Sequence, residues 1–154
     1  MKKVKLLFAV LVMTVMSTGI VHAQDEISDA DLRKYALLSE VIEYMKKDIS
    51  IELNEMIKAQ EGMTGQRYKE LAATKGDETK LTAIEAKDFE KKFLALTTDL
   101  KNDRTDAIKS VNSELATKMV GDKGRVYKKI RAELKTNEEL KARYEAILAQ
   151  VKGE

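Results

Sequence analysis

Two stretches of this 154-residue chain, 59 positions apart, read as copies of one unit. Gly62-Met63-Thr64-Gly65-Gln66-Arg67-Tyr68-Lys69-Glu70-Leu71 aligns without a gap on Gly121-Asp122-Lys123-Gly124-Arg125-Val126-Tyr127-Lys128-Lys129-Ile130. Between residues 49–83 and 108–142, nine of 35 positions are identical, among them Ile49/Ile108, Glu55/Glu114, Ala73/Ala132 and Leu81/Leu140. A repeated supersecondary unit sets the architecture before any single residue does. What is repeated here is turn and helix, with no catalytic group inside it.

The first 23 residues have the layout of a secretory signal. Lys2, Lys3 and Lys5 are followed by an apolar run from Leu6 to Ile20, and Val21-His22-Ala23 fits a small-residue cleavage site. The run is too short to cross a bilayer, which takes about 20 apolar residues. Cleavage near Ala23 leaves a single domain of residues 24–154, in a periplasmic or secreted setting. Removal of three lysines takes the net charge from +2 to −1. A near-neutral exported chain is a poor nucleic-acid binder.

After residue 23 there is no histidine, and the whole chain lacks cysteine, proline and tryptophan. Disulfides, the usual supplement to a small exported core, are therefore excluded, and aliphatic burial between helices must hold the fold. Neither a Cys–His nor a Ser–His nucleophile can be assembled, and no His-based zinc or copper site is available. The carboxylates alternate with lysines three and four residues on, as on solvated helix faces. A glycosidase-like pair needs two carboxyls held across a cleft, one with a raised pKa. The expectation is a non-enzyme with no catalytic, cofactor-binding or metal-binding residue.

Apolar spacing and charged composition both predict helix. Leu38, Ile42, Met45, Ile49, Leu53 and Met56 line one face, widened by Leu37, Val41 and Ile57, which predicts a long helix over 29–60. Ser28 is its expected N-cap, and Gly62 suits a helix stop. A short helix follows over 64–75. Thr82-Ala83-Ile84-Glu85 has the form of a capping box, which would open a second long helix over 83–119. Its stripe would be Phe89, Phe93, Leu96, Leu100, Ile108, Val111 and Leu115, continuous through the polar stretch 101–106. A second short helix over 125–134 and a last one opened by Thr136-Asn137-Glu138-Glu139 complete the chain. The predicted order is long, short, long, short, short. The fold class is all-α, an antiparallel bundle of two long and about three short helices with an internal pseudo-repeat, copies about 28–81 and 82–151; a single coiled-coil hairpin is the competing architecture.

Glu52 and Arg104 fall opposite each other when the long helices are set antiparallel, and are expected to pair and fix register. Tyr68 and Tyr127, at the same place in each copy, are expected to anchor the short helices with their hydroxyls at the surface. The Gly62/Gly65 and Gly121/Gly124 pairs read as helix stops, since a nucleic-acid-binding G-x-x-G loop needs flanking strands. The copies differ in charge. Residues 118–135 hold seven Lys/Arg against Asp122 and Glu133, whereas 59–76 is near neutral. That basic stretch is the candidate contact for an acidic envelope partner or an anionic surface.

The opening Ser28-Asp29-Ala30-Asp31-Leu32-Arg33-Lys34-Tyr35-Ala36, the turn-helix from Met63 to Leu71, and Leu81-Thr82-Ala83-Ile84-Glu85 between the copies resemble the bacterial domain of unknown function 4168 family. The resemblance implies an exported helical protein and carries no assigned activity. Gly121-Asp122-Lys123 departs from the family's apolar-hydroxyl pattern, which leaves the geometry of the second turn open. Leu81-Thr82-Ala83-Ile84-Glu85 is also similar to the L-T-x-x-[EQ] motif of small exported chaperones of the Spy/CpxP type. Two functions are thus expected: a non-enzymatic envelope interaction protein, or an ATP-independent periplasmic chaperone.

Overall fold

The computed structural model describes residues 26–153; the signal-like segment, its cleavage site and the last residue lie outside them. The fold is all-α. Helix α1 spans Asp29–Ala59 and α2 Gly65–Ala73. Helices α3 and α4 span Glu78–Ala83 and Asp88–Leu115, and α4 runs on through a π-helical turn at Ala116–Val120. A 3₁₀ turn at Asp122–Gly124 leads into α5, Arg125–Glu133, and α6 is Glu138–Lys152. Among the described residues no helix is long and apolar enough to cross a membrane.

The starts of α1 and α4 are 59 residues apart, and the starts of α2 and α3 lie 60 residues before those of α5 and α6. Each copy is therefore a long helix followed by two short ones. The order is long, short, short, long, short, short, which corrects the expected sequence of elements. The capping box assigned to Thr82–Glu85 does not form. Asp77 caps α3 instead, its carboxylate accepting from the Thr79 and Lys80 amides, and Thr82 lies inside that helix with its hydroxyl donated to the Glu78 carbonyl. Ala83 ends α3 because Glu85 turns into the left-handed region, letting Ala86 N–H reach the Leu81 carbonyl and Glu85 N–H the Thr82 carbonyl. Helix α4 then starts at Asp88, where Glu90 accepts the Lys87 amide. The cap of α6 is Asn137, one residue beyond the expected Thr136.

Core residues collect at the two ends of the long pair. One core joins Leu32, Ala36, Leu38 and Ile42 of α1 to Ala116 and Val120 at the far end of α4, Ile130 of α5, and Leu140 and Ile147 of α6. The other joins Ile57 of α1 to Phe93 and Leu94 of α4, with Tyr68 and Leu71 of α2 and Leu81 of α3. Each end thus holds a copy's short helices, the end of its own long helix and the start of the other's. Burying apolar area at about 25 cal/mol per Å² is what assembles each end.

Between the ends the long helices are a two-helix waist. Residues 101–107 are exposed throughout and α4 is helical across them, as the absence of Gly and Pro there suggested. Glu52 and Arg104 meet across this waist at 3.2 Å, Nε donating to Oε2 and Nη2 to Oε1. At the two ends as well, the buried seam is narrower than the apolar pattern. Leu37 and Val41 do not join the core; they are 44 % and 43 % exposed, and Leu96 is 56 % exposed, its expected place taken by Leu94 and Thr97.

The two glycine turns differ in geometry. In the first, only Gly62 has positive φ, and Thr64 caps α2 by accepting the Arg67 amide. In the second, Lys123 stands where Thr64 would cap, and four consecutive residues, Gly121 to Gly124, have positive φ (102°, 50°, 52° and 83°). Without a side-chain cap, the backbone itself coils left-handed to enter α5.

Candidate functional site

The basic stretch 118–135 forms one end of the molecule. Helix α5 buries Ile130 and half-buries Val126 and Tyr127. The cations of this end are partly neutralised at close range: Lys118 pairs with Glu114, Arg125 with Asp122, and Lys129 with Glu133. The hydrogen bond from Arg125 holds the Asp122 carboxyl below its ordinary pKa, and that from Lys118 does the same for Glu114. Lys128 and Arg131 on the exposed face of α5, with Lys123 and Lys135 at its two ends, form no ion pair among the described residues. Beneath this face Tyr35 of α1 packs against Tyr127 at 5.3 Å and Tyr144 of α6 at 5.6 Å between centroids. Burial raises the pKa of Tyr35, and the two neighbouring tyrosines add to the rise. The trio braces the basic helix from below.

The tyrosines of the repeat hold α2 and α5 in place, with one correction. The Tyr68 hydroxyl is inside, donating to Thr97 Oγ1 at 3.3 Å, because Thr97 has already spent its own proton on the Phe93 and Leu94 carbonyls. The Tyr127 hydroxyl lies 3.4 Å from Asn112 Oδ1, in a half-buried position.

Glu90 is a buried carboxylate, 3 % exposed, and sequence reasoning did not single it out. Arg67 holds it with a two-pronged grip and also donates to the Ile84 carbonyl, tying α2 to the turn before α4. These hydrogen bonds take the Glu90 pKa down to about 2 and push that of Arg67 up. A general acid needs the opposite shift, so this ionised pair is built to join elements. Arg143 does the corresponding work at the other end, bonding Asp29 and the Ile27 carbonyl at the start of α1. Among the described residues no group of three or more His, Cys, Asp or Glu side chains is placed to hold a metal ion.

One concave feature was not foreseen. A groove of about 500 Å³ opens between α2, the start of α3 and α4, floored by Tyr68, Leu81 and Leu94 and rimmed by Lys75, Lys91 and Lys101. Lys91 pairs with Glu78 at 2.7 Å, while Lys75 and Lys101 form no ion pair among the described residues. Ala95, Thr98 and Asp99 of α4 line the same groove and are exposed.

No family model matches the chain, and neither a curated protein nor a solved structure is detectably similar to it.

Proposed function

We propose that this is an exported, non-enzymatic helical protein of the bacterial envelope that works through surface contact, as the signal-like start and the resemblance to the domain of unknown function 4168 family imply. The observation that carries the contact reading is the exposed cationic end, where Lys123, Lys128, Arg131 and Lys135 stand without ion pairs among the described residues. Such a face attracts anionic headgroups or an acidic protein, with about 1 kcal/mol per cation near an anionic surface. Sedimentation with vesicles tests it. The protein should pellet with phosphatidylglycerol-containing vesicles at low salt, release as salt rises, and ignore purely zwitterionic ones. Equal indifference to both vesicle types, and to acidic envelope proteins in cross-linking, would reject the cationic end as the contact.

The second reading, an ATP-independent chaperone, is favoured by one feature of α1. Leu37, Val41, Tyr44 and Ile51 recur at three-, four- and seven-residue steps and are 43 % to 73 % exposed, an uncovered apolar stripe. The methionines argue the other way, since Met45, Met56 and Met119 are part-buried and Met63 is buried. If the purified protein leaves aggregation of an unfolded client unchanged at equimolar ratio, the chaperone reading fails.

A further inference from the structure

The two copies treat one residue in opposite ways. Ala36 of α1 is fully buried, whereas Ala95, 59 positions on in α4, is exposed. The cause is α6. It runs parallel to α1, placing Tyr144, Ile147, Leu148 and Val151 against the core that contains Leu32, Ala36 and Ile42. Three polar contacts fix its register: Arg143 to Asp29, Gln150 to Arg33, and Lys152 to Glu40 at 3.6 Å.

Among the described residues the first copy has no such cover. Helix α3 corresponds to the opening of α6 and stops at Ala83, six residues long against fifteen. The α4 residues lining the groove are the counterparts of α1 residues packed with α6 or paired to it: Lys91 for Leu32, Leu94 for Tyr35, Ala95 for Ala36, Asp99 for Glu40 and Lys101 for Ile42. The polar register marks are kept as well, with Asp88, Lys92 and Asp99 standing 59 residues after Asp29, Arg33 and Glu40. The groove is thus the seat of a helix that the first copy does not supply.

We propose that this groove binds a short amphipathic helix from a protein partner, about ten residues or three turns long, lying parallel to α4 where the second half of α6 lies on α1. Its apolar stripe meets Tyr68, Leu81 and Leu94. The seat differs from its counterpart in charge, since Lys91 and Lys101 replace Leu32 and Ile42 and Lys75 adds a third cation at the rim. With Lys75 and Lys101 unpaired, the fitting helix carries a carboxylate near the end of its stripe, where α6 has Val151. The inference is independent of export and of the cationic end on α5.

The probe is a fluorescein-labelled peptide of the second half of α6, residues 143–153, carrying Val151→Glu, titrated with the purified protein by fluorescence anisotropy. Saturable binding is expected at protein concentrations up to about 0.5 mM, weak because an isolated helix must first be ordered. Ala95→Trp fills the groove from an exposed position, so circular dichroism should show an unchanged fold while binding falls at least about tenfold. Lys101→Glu should weaken it several-fold at low salt and less at high salt. No binding in that range overturns the proposal. Binding that survives Ala95→Trp also overturns it, because the peptide is then exchanging with α6 or adhering elsewhere. So does preferential uptake of dodecanoate over the peptide, which would make the groove a site for a small amphiphile.

Discussion

Arg67 grips Glu90 through two hydrogen bonds, Nε to Oε1 at 2.7 Å and Nη2 to Oε2 at 2.8 Å, and so ties α2 to the first turn of α4. Glu90 ionises at about 2 in the fold against an ordinary 4.5, chiefly because Arg67 donates to its charged form. A carboxylate with a depressed folded pKa adds stability that is fully present above its unfolded value and is lost as pH falls through the folded one. The protein should therefore hold its urea midpoint from pH 7 down to about 5 and lose it steadily towards pH 2. In Glu90→Gln the acid-induced loss should be smaller, so the gap between variant and parent narrows as pH falls. An unchanged gap would show that Glu90 contributes nothing through its charge. At pH 7, Glu90→Ala should lower the urea midpoint, because it removes the main partner of Arg67 and the acceptor of the Lys87 amide at the start of α4.

The two tyrosines of the repeat should respond differently to loss of a hydroxyl. Tyr68 is buried and its proton goes to Thr97, so Tyr68→Phe should cost about 1 kcal/mol. Tyr127 is half-buried with a longer bond to Asn112, and Tyr127→Phe should cost less than about 0.5 kcal/mol. Equilibrium urea unfolding compares the two directly. Equal costs would contradict the difference in burial.

The glycine turns make a second matched pair. Gly121 sits at φ 102°, ψ −179°, a region essentially restricted to glycine. Gly62, at φ 77°, is in the milder left-handed region, but an added Cβ would come within 3.3 Å of the Phe89 ring. Gly121→Ala should cost about 2–3 kcal/mol and Gly62→Ala about 1–2 kcal/mol, the latter relieved by Phe89→Leu. If Phe89→Leu gives no relief, ring contact is not part of the cost at Gly62.

The helices were legible where a local signal decides them. Ser28 caps α1 as its residue type suggests, and the stop before Gly62 falls where glycine permits positive φ. The start of α4 was not, because Lys87 cannot cap with its side chain and the acceptor comes from Glu90 three residues on. Thr82-Ala83-Ile84-Glu85 offered a complete capping box nearby, but Asp77 had already started α3 and placed Thr82 inside it. Leu37, Val41 and Leu96 lie on an apolar face in sequence, yet periodicity gives the direction of a face and not how much of it a neighbour covers. The groove on α4 was invisible for the same reason: it exists because α3 is short, and its traces in the sequence are Ala36 repeated at Ala95 and the polar marks Asp88, Lys92 and Asp99.

Glu52 and Arg104 join the long helices where neither core reaches. The pair is well formed but exposed, 35 % and 51 % for the two side chains, and solvent there screens most of its attraction. Its hydrogen bond and the charge of Glu52 raise the Arg104 pKa, which was never going to limit the charge state. A double-mutant cycle with Glu52→Gln and Arg104→Gln should therefore return a coupling energy too small to resolve from zero. Register is a separate matter. Sliding α1 along α4 by one turn would break this pair and both cores together, so the cores already hold the alignment and the pair guards only the waist. Leucine at both positions should keep thermal stability within a few degrees of the parent, while adding to the exposed apolar surface that starts at Leu37 and Val41. Light scattering then separates the possibilities. A monodisperse double-leucine variant would mean the ion pair has no role in specificity, and self-association would mean that it keeps the waist from pairing with a second copy.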